Sequence, residues 1–214
     1  MLHDMIFIVT GADHILGIQP IIKRERYIEY MMSLHKIFSY HIPTYGVLSE
    51  IRQDDDTDRP PFEKFPFLFL KKINEGELGN VNKSTKEFMC ISMLLRDLPI
   101  IDNDTFIIKI SGRYLIINDS FMKTVKENEH HTEIAAIIRT SDHNTQQYTF
   151  LYAMRFRYIK QFFEKSVQLF DSGVSIEYAL FSFLKEQNLM KNTITVDELG
   201  ILTHINNDKI FAIY

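Results

Sequence analysis

Apolar and polar positions alternate along this chain with two different periods, and the switches between them mark its elements. Met5-Ile6-Phe7-Ile8-Val9 is a continuous apolar run that stops at Thr10-Gly11, the pattern of a central strand covered on both faces. Arg24–Tyr40 changes to helical spacing, with Tyr27, Ile28, Met31, Leu34, Ile37 and Phe38 recurring between charges. Pro43 closes that helix and leads into a second strand at Tyr45–Ser49. The acidic, proline-bearing stretch Asp54–Pro61 has no period and reads as an exposed loop. Phe65–Leu70 is compatible with a third strand, and Thr85–Leu95 returns to helical spacing. At the start of that helix the spacing predicts a capping box, with Ser84 accepting from the N–H of Glu87 and the Glu87 carboxylate reaching back to Ser84.

Phe106–Ile110 is a second central-strand run, and it empties abruptly into the polar turn Ser111-Gly112-Arg113-Tyr114. Glu133–Arg139 and Tyr148–Met154 read as neighbouring strands. A helix over Tyr158–Phe170 is stopped by Gly173, another follows Ser175 over Ile176–Gln187, and Ile194–Tyr214 reads as short extended pieces. This order predicts an α/β fold, a mostly parallel central sheet flanked by helices on both faces, as one domain over residues 1–214. Open sheets of this kind bind ligands at the carboxyl ends of their strands. The candidate positions are therefore Thr10-Gly11, Ser49-Glu50 and Ser111-Gly112-Arg113.

Charge narrows the partners. With 24 Lys and Arg against 28 Asp and Glu, the net charge of −4 is no footprint for nucleic acid or an anionic membrane. The single cysteine, Cys90, sits in an apolar helical pattern and reads as a buried small hydrophobe, which fits a reducing compartment. Met5–Val9 is too short for a membrane span or a signal core, and the chain reads as mature from its first residue. There is no glycine-rich dinucleotide fingerprint, no Walker lysine motif and no nucleophile elbow.

Two constellations carry candidate chemistry. Ser111-Gly112-Arg113-Tyr114 offers a hydroxyl, a glycine that allows close backbone approach, a guanidinium and a ring, groups that suit a phosphorylated or sugar ligand. An ordinary turn with Arg113 in a structural ion pair accounts for the same pattern. Lys109, inside the strand, needs a carboxylate partner or an anionic ligand. Lys83-Ser84-Thr85-Lys86-Glu87 puts two cations beside the free N–H groups of a helix start, which attracts phosphate, although capping alone explains Ser84 and Glu87. His130-His131 reads as a surface turn, and His204 and Glu177 have structural explanations as well as functional ones.

Taken in order, Ile6-Phe7-Ile8-Val9-Thr10, Arg26-Tyr27, Val47-Leu48-Ser49-Glu50, Asn82-Lys83-Ser84-x-x-Glu87, Lys109-Ile110-Ser111-Gly112-Arg113-Tyr114, Ser175-Ile176-Glu177 and Leu199-Gly200 span nearly the whole chain. Together they resemble a family of small glycosyltransferase-like proteins of GT-A-like fold, found in surface-glycan clusters of bacteria and in large DNA viruses. The resemblance implies transfer of a sugar from a nucleotide-diphosphate donor to a glycan acceptor in the cytoplasm, the host's if the chain is viral. It implies a donor site bordered by Thr10, Lys83, Ser111 and Arg113, to which Gly11, Ser84, Lys109, Gly112 and Tyr114 are added from the pattern. Arg113 is the candidate for charge stabilisation, and Glu50 or Glu177 for the base. Where family members show Gly before the glutamate of the Lys-Ser element, this chain has Lys86.

Transferases of the GT-A class usually hold Mn²⁺ or Mg²⁺ on an Asp-x-Asp at the end of a central strand. Here Asp54–Asp58 lies in the hydrophilic loop and Asp102-Asn103-Asp104 precedes its strand, so no Asp-x-Asp is well placed and Lys or Arg can serve instead. Two other readings stay open: a catalytically inactive module of the same fold that binds a nucleotide or glycan, and a nucleotidyltransferase.

Overall fold

The computed structural model describes residues 4–12, 20–50, 61–79, 81–99, 101–140, 148–166, 174–205 and 210–213, without the side chains of 20–23, 50, 75, 203–205 and 210–213. Among the described residues, ten strands and five α-helices follow one another. They are β1 Met5–Ala12, α1 Pro20–Phe38, β2 Thr44–Glu50, β3 Phe69–Asn74, α2 Lys83–Asp97, β4 Phe106–Ser111, β5 Leu115–Ile116 and α3 Ser120–Glu127. Then come β6 Ala136–Ile138, β7 Leu151–Arg155, α4 Phe156–Lys165, α5 Ile176–Glu186, β8 Thr193–Thr195, β9 Ile201–Ile205 and β10 Ile210–Ile213.

The central sheet has the order β3-β2-β1-β4-β7-β6-β8, with β10-β9-β5 as a smaller sheet. Pairs β1–β2, β1–β4, β2–β3 and β6–β8 are parallel, whereas β7 runs antiparallel to both β4 and β6. The mostly parallel sheet is thus as the pattern predicts, with Glu133–Arg139 and Tyr148–Met154 contributing its antiparallel neighbours. The apolar runs end where expected because β1 and β4 lie at the centre, covered on both sides. Ile6 and Ile8 pack with Ile107 against α2, α4 and α5, whereas Phe7 and Val9 pack with Phe106, Ile108 and Ile110 against α1 and α3. The period of two therefore turns Thr10 and Lys109 toward α2, a fact that builds the site.

Two local expectations are corrected. The third strand is not Phe65–Leu70 but Phe69–Asn74, with Phe69 opposite Tyr45. The aromatic residues ahead of it gather as rings: Phe62 stacks on Phe67 and Phe65 on Phe38, each at 5.3 Å between centroids. Their ring area is buried better in that cluster than on an edge strand. The capping box is also absent. Asn82 caps α2, its side chain accepting from the Thr85 N–H at 2.9 Å, and the Glu87 side chain turns away toward β1 and β4. Gly173, expected as a helix stop, lies outside the described residues.

Candidate functional site

A cavity of about 430 Å³ opens at the carboxyl ends of β1, β2 and β4. Its wall includes Thr10, Gly11 and Ala12 from β1, Val47 and Ser49 from β2, and Lys109 and Ser111 from β4. Helix α1 adds Arg26 and Tyr30, the start of α2 adds Lys83, Ser84, Lys86, Glu87 and Cys90, and α5 adds Glu177. Arg113, Tyr114, Thr149 and Phe150 complete the groups that matter below. The volume is in the range of small-molecule sites. Among the described residues, five Lys or Arg side chains face two glutamates around it, so this part of the wall is electropositive within a chain that is acidic as a whole.

The floor is a run of polar contacts. Lys109, only 2% exposed, sits 2.6 Å from Glu87 Oε1. The same ammonium donates to the Thr149 carbonyl at 2.7 Å, the Thr10 hydroxyl donates to Glu87 at 3.0 Å, and the Thr149 hydroxyl donates to Glu177 at 2.9 Å. Burial opposes the charge on Glu87, but Lys109 beside it, the hydrogen bonds from Lys109 and Thr10, and the more distant Lys83 outweigh it and hold the carboxyl below its usual range. Glu87 is thus an ionised partner for Lys109 rather than a base. Lys109 has the carboxylate that its place in a central strand demands.

The cationic wall is arranged differently. Arg113 Nε lies 3.1 Å from Glu29 Oε2, and neither atom is aligned for a hydrogen bond with the other. Burial, and then the like charge of Arg113, hold the Arg26 guanidinium below its usual range, with Tyr30 and Glu29 acting in the opposite sense. Two guanidiniums in one wall are side chains of the type that pairs with anionic groups. At the first turn of α2, the helix geometry leaves the N–H groups of Lys83 and Ser84 without intrahelical acceptors, beside the side chains of Lys83 and Lys86. Tyr114, pushed up to about 12 by burial against the opposing pull of Arg113, remains a neutral hydroxyl at physiological pH.

The structure thus brings Thr10, Gly11, Lys83, Ser84, Lys109, Ser111, Arg113, Tyr114 and Glu177 to one cavity. Gly112 is different. A Cβ there would meet the Phe62 ring at 2.9 Å and Val9 at 3.1 Å, and one on Gly11 would meet Phe62 at 2.5 Å. The space that Gly112 leaves is taken by Phe62, not left open for a ligand. Gly11→Ala is accordingly expected to cost about 1–3 kcal/mol of stability by overpacking. Urea unfolding checks it, and combining the change with Phe62→Leu should recover part of the loss.

Glu50 ends β2 one residue beyond Ser49, and its side chain lies outside those described, as does that of His204. His130 and His131 are exposed, beside Glu129 and Glu133 respectively. Asp104 precedes β4 and pairs with Arg157, at the sheet end opposite the cavity, while Asp54–Asp58 lies outside the described residues. Among the described residues, no group of three or more His, Cys, Asp or Glu side chains is placed to hold a metal ion. No helix among them is long and apolar enough to cross a membrane. Sequence reasoning missed Arg26 and Tyr30, whose spacing of four on α1 was a usable signal, and Thr149, a lone hydroxyl at the head of an apolar run. It also took Glu87 for a cap.

No protein-family model matches the sequence, and no curated protein sequence matches it. Solved structures do. The 4-diphosphocytidyl-2C-methyl-D-erythritol synthase of Anaerococcus prevotii DSM 20548 is similar over 90% of this chain and 87% of its own, with a TM-score of 0.55 at 13% identity. Mouse xyloside xylosyltransferase 1, in its apo form, is similar over 92% of this chain and 85% of its own, with a TM-score of 0.51 at 7% identity. The likeness to these two enzymes is one of α/β fold. The 2-C-methyl-D-erythritol 4-phosphate cytidylyltransferase of Francisella tularensis also matches, over 89% of each chain, at a TM-score of 0.48 and 11% identity. At these identities the likeness is one of fold, shared between proteins named as a synthase and as a xylosyltransferase.

Proposed function

We propose that the chain is a glycosyltransferase that moves a sugar from a nucleotide-diphosphate donor to a glycan acceptor, with the donor lying across the ends of β1, β2 and β4. The observation that carries this reading is the convergence of Arg26, Lys83, Lys86, Arg113 and the start of α2 on one cavity of about 430 Å³. When the bond between the anomeric carbon and the diphosphate oxygen breaks, that bonding pair stays with the diphosphate, and its charge rises. Arg113 and Lys83 stabilise the added charge from fixed positions, which is the main catalytic contribution.

An acceptor hydroxyl must lose a proton as it attacks. Glu177 lines the cavity with one oxygen held by Thr149, so it is the better-supported base, with Glu50 the other candidate. A surface-glycan or viral setting and a cytoplasmic location belong to the same proposal.

The fold it shares with the Anaerococcus prevotii synthase supports a second reading, transfer of a nucleotidyl group, in which the same cations stabilise a departing diphosphate. Incubating the protein with a panel of nucleotide sugars, and separately with nucleoside triphosphates and sugar phosphates, distinguishes the two. Release of a nucleoside diphosphate from a nucleotide sugar supports glycosyl transfer, whereas formation of a nucleotide sugar with release of inorganic diphosphate replaces it with nucleotidyl transfer. Binding of a nucleotide sugar with no turnover by either route leaves the inactive binding module.

A further inference from the structure

The donor set of the cavity does not suit the divalent ion that transferases of this fold class commonly use. Mg²⁺ or Mn²⁺ needs several oxygen ligands converging on one point. Of the two carboxylates that the described residues give the wall, Glu87 is engaged by Lys109 and Thr10, and Glu177 accepts from Thr149. The contacts run from Glu87 through Lys109 and Thr149 to Glu177, so an ammonium stands between the two acids in the bonded chain that links them. At the end of β4, two residues apart, stand the hydroxyl of Ser111 and the guanidinium of Arg113, where an Asp-x-Asp would place two carboxylates.

The field points the same way. Arg26, Lys83, Lys86 and Arg113 line the wall in addition to Lys109. Such a wall repels a dication and attracts a diphosphate. The burial that surrounds Arg26 and Lys109 strengthens both effects, because screening by water and salt is weaker there.

We propose that this site neutralises its diphosphate ligand with side-chain cations alone, so that the ligand is bound without a divalent metal ion. The inference rests on the reading that the cavity takes a nucleoside diphosphate group. In this design Arg113 and the α2 lysines do the work that an ion performs elsewhere, and the Lys109–Glu87 pair keeps the wall acids from recruiting one.

The test is calorimetric titration of the full chain with UDP, GDP, CDP, ADP and dTDP, first in EDTA and then with Mg²⁺ or Mn²⁺. One of these nucleotides should bind in EDTA, with a Kd that changes by less than about threefold on adding metal, against the tenfold or greater weakening expected from losing one charged phosphate contact. Lys83→Ala, at an exposed position that the fold does not depend on, and Arg113→Ala should each weaken binding about tenfold in EDTA. The combined variant Asp54→Asn, Asp56→Asn, Asp58→Asn should bind like the wild type. Binding that requires metal, or that is lost in the triple variant, overturns the metal-free inference and leaves the nucleotide reading intact. Failure of all five nucleotides to bind in either condition overturns both.

Discussion

Arg113→Ala is expected to lower kcat/KM for the proposed sugar transfer by about a hundredfold to a thousandfold, the size of loss found when one charge-stabilising donor is removed from a preorganised site. The side chain lines the cavity and also pairs with Glu29 at 3.1 Å, so a structural role must be separated from a chemical one. Glu29→Gln makes that separation. It removes the ion pair and leaves the guanidinium, and it should keep most of the activity. Arg113→Lys should recover part of the loss, since an ammonium restores charge but not the planar fork. Wild-type transfer by Arg113→Ala, with no change in kcat or KM, would reduce Arg113 to a partner for Glu29 and remove the mechanism. Both partners are only about one-fifth exposed, so each variant's unfolding midpoint should be recorded beside its kinetics.

Lys109→Ala carries the largest expected cost in stability, about 3 kcal/mol, because it strands Glu87 beside a nearly buried strand position. Partial solvent access to Glu87 keeps the cost at the low end of the range for broken buried pairs. Replacing both partners, Lys109→Met with Glu87→Leu, should restore much of it, and denaturant unfolding of the two singles and the double gives the coupling directly.

The pair also fixes a pH response. Glu87 has its folded pKa below the ordinary carboxyl value of 4.5, so in mildly acid solution the unfolded chain binds a proton there more readily than the folded one. The stabilisation it contributes is present above about pH 4.5 and disappears as the pH falls through the lower folded value. Glu87→Gln should flatten the stability curve in that acid window and leave its slope near pH 7 unchanged. An undiminished slope would mean that other carboxyls account for the acid loss.

How far the sequence could reach depended on whether a signal was local. Met5–Val9 and Phe106–Ile110 announce central strands because a run buried on both faces needs no polar alternation, and their abrupt polar ends point to the cavity. Phe65–Leu70 misleads because an apolar run does not say whether its rings pack as a strand face or as a cluster, and Phe62, Phe65 and Phe67 do the latter. Ser84 and Glu87 fit a capping box by spacing alone. What overrides it is a lysine more than twenty residues away on β4, whose need for a counter-charge is stronger than the gain from a second cap. Gly112 looks like an opening for a ligand in the sequence, but the Phe62 ring that fills the space, and that also crowds Gly11, comes from a segment with no sequence relation to either. Arg26 and Thr149 leave a local trace in spacing and position, but only the packing of α1 and of the segment ahead of β7 brings them to the rim of the site.

The most direct test of the central claim, that the cationic cavity receives a nucleotide-diphosphate donor, is the thermal midpoint of the wild type and of Lys83→Ala across a panel of nucleotide sugars. A ligand present at a hundred times its Kd stabilises the folded chain by about 2.7 kcal/mol. The account predicts that one member of the panel raises the wild-type midpoint by several degrees, and that the same concentration shifts the variant much less. Equal shifts in both proteins, or no shift with any nucleotide sugar, would contradict it.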